Sequence, residues 1–280
     1  MQRTYRFRDG KKLILGGRTL VMGILNVTPD SFSDGGKWNT RDRALRHMEE
    51  MVHDGADIID IGAESSRPGF VPMGAAEETE RLMPFLEGVL AECSVPVSVD
   101  TFKAETARAA LSAGAHLLND IWGLQYAEEP EEMARAAAEA NVPVVVMHNQ
   151  NGTVYDGDII AAMRTFFSRS LAIADAAGLA RENIILDPGI GFGKTAEQNL
   201  QVIKRMDELV SYEGADYPVL LGASRKSFIG AALDLPVEER MEATGAACVL
   251  GIARGACIMR VHDVKPIVRM CRMADAILGA

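Results

Sequence analysis

One pattern repeats eight times along this chain: a short apolar run, a polar or glycine-containing loop, and an amphipathic, often alanine-rich stretch. The apolar runs are residues 20–25, 58–61, 97–99, 116–118, 142–147, 184–186, 219–221 and 257–261. The helix-like stretches are residues 40–54, 77–91, 103–113, 131–140, 159–177, 196–210, 237–253 and 264–278. Strands that alternate with helices in this way pair in parallel.

Eight strand–helix units predict an α/β fold, a closed (β/α)8 TIM barrel, with a doubly wound open sheet as the alternative. The length of 280 residues is near the about 250 that such a barrel uses. No linker or low-complexity segment divides the chain, so we expect one domain over residues 1–280. Residues 1–18 lie outside the repeat. There Asp9-Gly10, between two short apolar segments, predicts an N-terminal β-hairpin at the barrel floor.

Composition and charge restrict the class of partner. Apolar residues make up 48% of the chain and charged residues 24%, as in ordinary globular proteins. The formal net charge of −10, without a basic run, argues against nucleic-acid binding. We find no signal-like apolar segment at the N-terminus and no apolar run near the roughly 18 residues of a membrane helix. We therefore expect a cytoplasmic protein that does not enter a membrane.

Polar side chains follow every one of the predicted strands. They are Asn26, Glu64 to Arg67, Asp100, Asn119, His148, Asp187, Ser224 to Ser227, and Arg260 with His262. Active sites of this barrel class lie at the C-terminal ends of the strands. Capping of the next helix explains one or two of these residues, but it does not comfortably explain all of them.

Two opposite chemistries are present among these residues. Asp100, Asp187 and Asn119 could accept hydrogen bonds from a planar ligand with several N–H donors, although Asp100 alone could be a helix cap. The cationic residues are Arg67, Lys226, Arg260 and His262. They suit an anion near strands seven and eight, where such barrels often hold phosphate. No His or Cys cluster has metal-ligand spacing, but a hard cation held by Asn26 and substrate phosphates would be possible.

Seven segments, in this order, resemble the dihydropteroate synthase family, and its bacterial members in particular. The segments are GILNVTPDSFSDGG at 23–36, ESSRPG at 64–69, DT at 100–101, ND at 119–120, DPGIGFGK at 187–194, SRKS at 224–227 and RVHD at 260–263. The first and the SRKS segment are specific, whereas the lone DT would not be. The resemblance implies condensation of a 6-hydroxymethyl-7,8-dihydropterin diphosphate with 4-aminobenzoate in folate synthesis, through a pterin cation.

The resemblance also implies residue roles. Residues implied in catalysis are Asp100, Asp187, Lys226 and Arg67. Residues implied to bind the pterin diphosphate are Ser66, Asp100, Asn119, Ile121, Met147, Asp187, Phe192, Gly222, Lys226, Arg260 and His262. Residues implied to bind 4-aminobenzoate are Phe32, Ser66, Arg67, Pro68, Phe192, Lys226 and Ser227. Asn26 would bind Mg²⁺ together with the diphosphate.

Two positions depart from the usual pattern of the family. Ser66 stands where Thr is usual, and Asn149 follows Met147-His148 where many members have a second Met, which we interpret as a variant at the pocket rim. The family is usually homodimeric. The apolar residues Val249, Ile252 and Ile267 could supply that interface or could serve barrel packing.

Two other functions remain alternatives at this point. One is a pterin-binding barrel that transfers a methyl group to a corrinoid protein, which would not need the Asn26 loop or the SRKS segment. The other is a non-catalytic relative that binds pterins or other proteins of the folate pathway. Functional groups at every strand end argue against a non-catalytic protein.

Overall fold

The fold is an eight-stranded parallel barrel surrounded by helices. The computed structural model describes residues 2–28, 37–64 and 73–280. Its barrel strands are β3 (Leu20–Asn26), β4 (Ile58–Gly62), β5 (Val97–Asp100), β6 (Leu117–Asp120), β7 (Val144–Met147), β8 (Ile184–Asp187), β11 (Leu220–Leu221) and β12 (Ile258–Val261). Within the described residues, no helix is both long and apolar enough to cross a membrane.

The barrel closes where β8 meets the segment that leads into β11. Strand order in the sheet is β11-β12-β3-β4-β5-β6-β7-β8, and the neighbouring strands pair in parallel. Leu186 forms a parallel bridge with Val219, and its N–H donates to the Pro218 carbonyl at 2.9 Å. These contacts confirm the barrel and exclude the open sheet.

The helices lie outside the strands and bury one face against them. They are α1 (Lys37–His53), α2 (Ala75–Glu92), α3 (Ala104–Ala113), α4 (Glu132–Ala140), α5 (Ile159–Ala176), α6 (Ala196–Lys204), α7 (Asp207–Val210), α8 (Ser227–Leu233), α9 (Met241–Ala253) and α10 (Val264–Leu278). Outward-facing strand residues such as Ile59 and Ile61 pack with helix residues in one large apolar core. The strands are buried on both faces, which is why they are read as continuous apolar runs.

The N-terminal hairpin plugs the floor of the barrel, as the sequence predicts. Strands β1 (Arg3–Arg6) and β2 (Lys12–Leu15) pair antiparallel. Tyr5, Leu13 and Leu15 are buried against residues inside the barrel. The side chain of Arg3 fixes the hairpin, because it donates to the carbonyls of Glu182 at 2.9 Å and Asp216 at 2.7 Å. The candidate active site must therefore lie at the opposite end of the barrel.

Three local features differ from the sequence prediction. The predicted helix 196–210 is interrupted at Arg205, where the backbone leaves helical geometry (φ −113°, ψ 21°). Helix α8 was not predicted as a separate element, since its seven residues are too few to establish a helical period. A small hairpin of β9 (Ser211–Tyr212) and β10 (Ala215–Asp216) was also missed. Its turn residues Glu213 and Gly214 both have positive φ, without the usual Asn-Gly or Asp-Gly signal.

Candidate active site

The inside of the barrel changes from apolar to polar along the strands. At the floor, Met22, Ile58 and Leu117 belong to the apolar core that the hairpin covers. Because side chains alternate along a strand, the residues two positions further on face the same interior. On β4 that residue is Asp60 and on β6 it is Asn119. Asp100, Asp187 and Arg260 complete this polar layer from β5, β8 and β12.

Asp187 and Lys226 face each other across Gly222. A Cβ atom at Gly222 would lie 3.9 Å from Asp187 Oδ2 and 3.9 Å from Lys226 Nζ, so both charged groups lie beside this glycine. Asp187 Oδ1 accepts a hydrogen bond from the Gly189 N–H at 2.7 Å. Lys226 donates to the Ile190 carbonyl, and its Nζ lies 4.6 Å from the centroid of the Phe192 ring.

Burial shifts the proton affinities of this pair in opposite directions. It raises the pKa of Asp187, and the Lys226 ammonium opposes that rise. It lowers the pKa of Lys226 to about 8, and the Asp187 carboxylate opposes that fall. The two groups therefore stabilise each other's charged form in a site where neither charge is well hydrated.

Arg260 is held between two carboxylates. Its Nε donates to Asp60 Oδ2 at 2.6 Å, and its Nη2 donates to Asp100 Oδ2 at 2.6 Å. Burial raises the pKa of Asp100, with the Arg260 guanidinium opposing the rise. Asn119 joins the same group, because its Nδ2 donates to Asp60 Oδ2 at 3.1 Å. The structure thus brings Arg260, which the sequence analysis placed in a separate cationic group, together with Asp100 and Asn119, and Asp60, which it did not name, joins them.

A buried lysine fixes the loop after β8. Lys194 Nζ donates to the carbonyls of Gly189 at 2.9 Å and Phe192 at 3.0 Å, and contacts His148 Nδ1 at 2.9 Å. Burial lowers the pKa of Lys194 to about 7 and that of His148 to about 2, so His148 is neutral. Gly189 has positive φ, and a Cβ there would lie 2.0 Å from the His148 carbonyl oxygen. This loop places Phe192 and the Ile190 carbonyl against Lys226.

Neighbouring residues of the SRKS segment have different partners. Arg225 makes a bidentate pair with Asp263, with Nε and Nη2 at 2.8 and 2.6 Å from its oxygens. Ser224 Oγ lies 3.0 Å from His262 Nδ1, which ties the end of β12 to this segment. Lys226 is the residue of the segment that reaches Asp187, and Ser227 is exposed at the start of α8.

The remaining predicted site residues fall into two groups. Asn26 ends β3, Met147 ends β7 beside Asp187 in register, and Ile121 follows β6, so all three lie at the same end of the barrel. Phe32, Ser66, Arg67 and Pro68 lie outside the described residues.

Asn149 follows Met147-His148 just after the end of β7 and is nearly buried. It lines a cavity of about 550 Å³ beside the polar layer. The other walls of this cavity include Trp122, Tyr155, Phe166 and Arg169. None of the residues that the resemblance implies for pterin binding lines this cavity, although Trp122 and His148, which follow Ile121 and Met147 in the chain, do.

Sequence reasoning missed Asp60 and Lys194. Asp60 lies inside the apolar run 58–61. It could have been identified, because a single acid two positions after an inward-facing Ile58 must also face the barrel interior. Lys194 was named only as the last residue of the segment at 187–194, with no role of its own. Its actual contacts are with the backbone of its own loop and with His148, which follows β7, and no local pattern indicates these contacts.

Comparison with known proteins gives one consistent answer. The family model described as pterin binding enzyme matches residues 22–262. A dihydropteroate synthase from Bacillus subtilis is 54% identical over 94% of this chain and 90% of its own length. A solved dihydropteroate synthase from Clostridium difficile, determined in the presence of pteroic acid, has 47% identity and a TM-score of 0.89, covering 94% of this chain and 98% of that one. The Xanthomonas albilineans enzyme with 4-aminobenzoic acid has 38% identity and a TM-score of 0.90, covering 99% and 100%.

The matched region takes in the strand ends that carry the polar layer, and identity is high over nearly the whole length of each relative. This chain belongs to the dihydropteroate synthase family.

Proposed function

We propose that this chain joins 4-aminobenzoate to a dihydropterin, using 6-hydroxymethyl-7,8-dihydropterin diphosphate as the donor. The C–O bond to the diphosphate breaks first and leaves a pterin cation. The arylamine nitrogen then forms the C–N bond and loses a proton, giving 7,8-dihydropteroate. The observation that carries this proposal is the meeting of Asp187 and Lys226 at Gly222, beside the Arg260–Asp100 pair.

The polar layer suits the pterin ring. The 2-amino group and adjacent ring N–H form an edge of parallel donors, and Asp187 Oδ2, which lies beside Gly222, would be their acceptor. Lys226 can donate to an acceptor on the same ring, while Asn119 and Asp100 approach from β6 and β5. Met147, Ile121 and Phe192 would line the pocket around the ring. The buried Asp187 carboxylate would also stabilise positive charge that develops on the ring.

Negative charge moves onto the departing diphosphate, so fixed cations lower the barrier. Arg260 and His262 at the end of β12 would contact this group, together with Ser66 and Arg67 from the segment outside the described residues. Arg260 keeps its orientation without ligand, because Asp60 and Asp100 hold two of its nitrogens. Such preorganisation means that little reorientation is needed during the reaction.

The second substrate needs binding more than activation. An arylamine is already a nucleophile, so the reaction does not require a strong general base. His148 is neutral and contacts Lys194. Lys226, Phe192 and the exposed Ser227 would bind 4-aminobenzoate, together with Phe32 and Ser66 to Pro68, which lie outside the described residues.

A single-turnover assay tests the proposed function. Enzyme, pterin diphosphate, Mg²⁺ and 4-aminobenzoate should yield dihydropteroate and diphosphate in equal amounts. Pterin binding without a C–N product would support the non-catalytic alternative. Methyl transfer to a corrinoid protein would support the methyltransferase alternative.

Mg²⁺ is proposed as the cofactor, with Asn26 as the protein ligand. Asn26 is half-buried at the end of β3, and its side chain makes no hydrogen bond in the described part of the chain. A neutral amide oxygen suits a hard cation, and no group of three His, Cys, Asp or Glu in the described ranges could hold a metal by itself. Substrate oxygens and water would complete the shell, and the ion would neutralise charge on the leaving diphosphate.

Asn26→Ala should therefore raise the Mg²⁺ concentration needed for half-maximal activity, by about tenfold for the loss of one charge-assisted contact. The measurement is initial rate against free Mg²⁺. Asn151→Ala, in an exposed turn, is the control and should leave the titration unchanged. An unaltered titration in Asn26→Ala, or full turnover in excess chelator, would contradict this assignment.

A homodimer is proposed through the last two helices. Of the residues that the sequence suggested, Ile252 and Ile267 are buried in the core, whereas Val249 is exposed. Leu250 and Ile277 are 61% and 64% exposed on α9 and α10, which pack against each other. Met273 and Leu278 add to this apolar surface. Apolar surface of this kind is typical of subunit interfaces.

Leu250→Glu should shift the protein from dimer to monomer, since a desolvated carboxylate in the interface would be costly. Sedimentation velocity at several concentrations measures this. Ile14→Glu, on the exposed face of the floor hairpin, is the matched control and should remain dimeric. A wild-type protein that is monomeric at all concentrations would contradict the proposed interface.

A further inference from the structure

Asp60 is a buried carboxylate beneath the proposed pterin site, with no role yet assigned. It lies in the middle of β4, is fully buried, and faces the barrel interior two positions after Ile58. Its Oδ1 has no hydrogen-bond partner among the described residues. A buried charge with an unsatisfied oxygen is unfavourable for stability. Stability alone therefore does not explain a carboxylate at this position.

The other oxygen of Asp60 organises two residues of the site. Asp60 Oδ2 accepts from Arg260 Nε at 2.6 Å and from Asn119 Nδ2 at 3.1 Å. An ionised carboxylate only accepts hydrogen bonds. Asn119 must therefore turn its amide nitrogen towards Asp60, and its oxygen Oδ1 must point elsewhere.

We infer that Asp60 is a positioning residue that sets the recognition polarity of Asn119. An asparagine amide has two orientations of similar shape, which exchange the places of its donor and its acceptor. With Asp60 in place, one orientation is selected, and Asn119 offers Oδ1 and one remaining N–H in a fixed order. That order complements an amino group next to a ring nitrogen, as on a 2-aminopterin. A heterocycle without the amino group leaves Oδ1 unpaired.

This inference rests on the proposed function, because it concerns how that site selects its heterocycle. It adds a specific consequence: loss of Asp60 should relax selectivity for the 2-amino group, beyond any loss of affinity. A residue that only supported the fold would weaken binding of both heterocycles alike.

Asp60→Asn tests the inference, because an amide of the same size can either donate or accept. Titration calorimetry with 6-hydroxymethylpterin and with its 2-desamino analogue gives the ratio of the two affinities. The wild-type ratio should fall on the order of tenfold or more in Asp60→Asn. Ser98→Ala is the matched control. Ser98 is the register partner of Asp60 on β5, is also buried, and has a hydroxyl without a hydrogen-bond partner among the described residues.

A double-mutant cycle makes the test specific to Asn119. In an Asn119→Ala background, Asp60→Asn should change the affinity ratio little, because the amide that it orients is gone. Additive effects on the ratio, or an unchanged ratio in Asp60→Asn, would overturn the inference while leaving the proposed function intact. If the wild-type protein does not bind 6-hydroxymethylpterin, both fail.

A measurement on the wild-type protein covers the case in which Asp60→Asn does not fold. One of the two side-chain amide protons of Asn119 should exchange slowly with solvent by NMR, because it is bonded to Asp60. Rapid exchange of both protons in the ligand-free protein would overturn the inference.

Discussion

Asp187→Asn is expected to weaken pterin binding by roughly 2–5 kcal/mol, or from about 30-fold to several thousand-fold. One oxygen of Asp187 already accepts from the Gly189 N–H at 2.7 Å, so the other must serve the ligand. An amide can keep one acceptor, and its new N–H₂ would face the N–H donors of the ring. The substitution also removes the counter-charge of Lys226.

Titration calorimetry with 6-hydroxymethylpterin measures the effect, and thermal melting checks the fold. Asp120→Asn is the matched control. Asp120 is also buried at the end of a barrel strand, but its oxygens accept from the backbone N–H groups of Trp122 and Leu124, at 2.8 and 2.6 Å. It should lower the melting temperature with little change in pterin affinity. A folded Asp187→Asn protein with wild-type affinity would remove Asp187 from the site.

The barrel could be predicted from the sequence because its strands are apolar on both faces and its helices are long. Helix α10 was predicted with the bounds that the structure has, and every barrel strand lies within two or three residues of its prediction. The ends of the strands were predicted less accurately, because backbone hydrogen bonding rather than hydropathy determines where a strand ends. Strand β6 extends through the polar pair Asn119 and Asp120, which the apolar run did not include.

The candidate site could be predicted as a set of residues at one end of the barrel, but not as a set of contacts. Arg225 and Lys226 are adjacent cations in the sequence. The structure gives Arg225 a positive φ of 56° and pairs it with Asp263, while Lys226 reaches Asp187. Nothing in the local sequence separates these outcomes, because the partners come from strands far along the chain.

Asp60 is a second residue whose contacts could not be predicted from the local sequence. A residue in mid-strand looks structural, and its importance depends on Arg260, 200 positions away, and on Asn119, 59 positions away. The order of the strands around the barrel places β12 next to β3, with β4 following and β6 two strands further on, so that the three side chains can meet in the barrel interior.

The second large effect is expected at Lys226. Lys226→Met should lower kcat/KM for the pterin diphosphate on the order of 100-fold or more, because it removes a donor to the pterin ring and leaves the buried Asp187 carboxylate without its counter-charge. Lys265→Met, on the exposed start of α10, is the control and should have wild-type activity.

The pH dependence of kcat/KM tests whether the charged form of Lys226 is the active one. Desolvation lowers the pKa of Lys226 to about 8, so the ammonium is present below that pH and is lost as pH rises through it. The profile of kcat/KM reports the free enzyme, and it should therefore fall above about pH 8. The bound diphosphate is an anion and raises the pKa of a nearby ammonium, so the fall in kcat should come at higher pH.

Lys226→Arg separates this lysine from its buried neighbour. A guanidinium stays charged across the accessible range, so the fall in kcat/KM near pH 8 should disappear even though activity is reduced. Lys194 has a pKa lowered to about 7 by burial, and it is unchanged in this variant. A fall that survives in Lys226→Arg would assign the titration to Lys194, and would mean that the loop held by Lys194, rather than the charge on Lys226, limits activity at high pH.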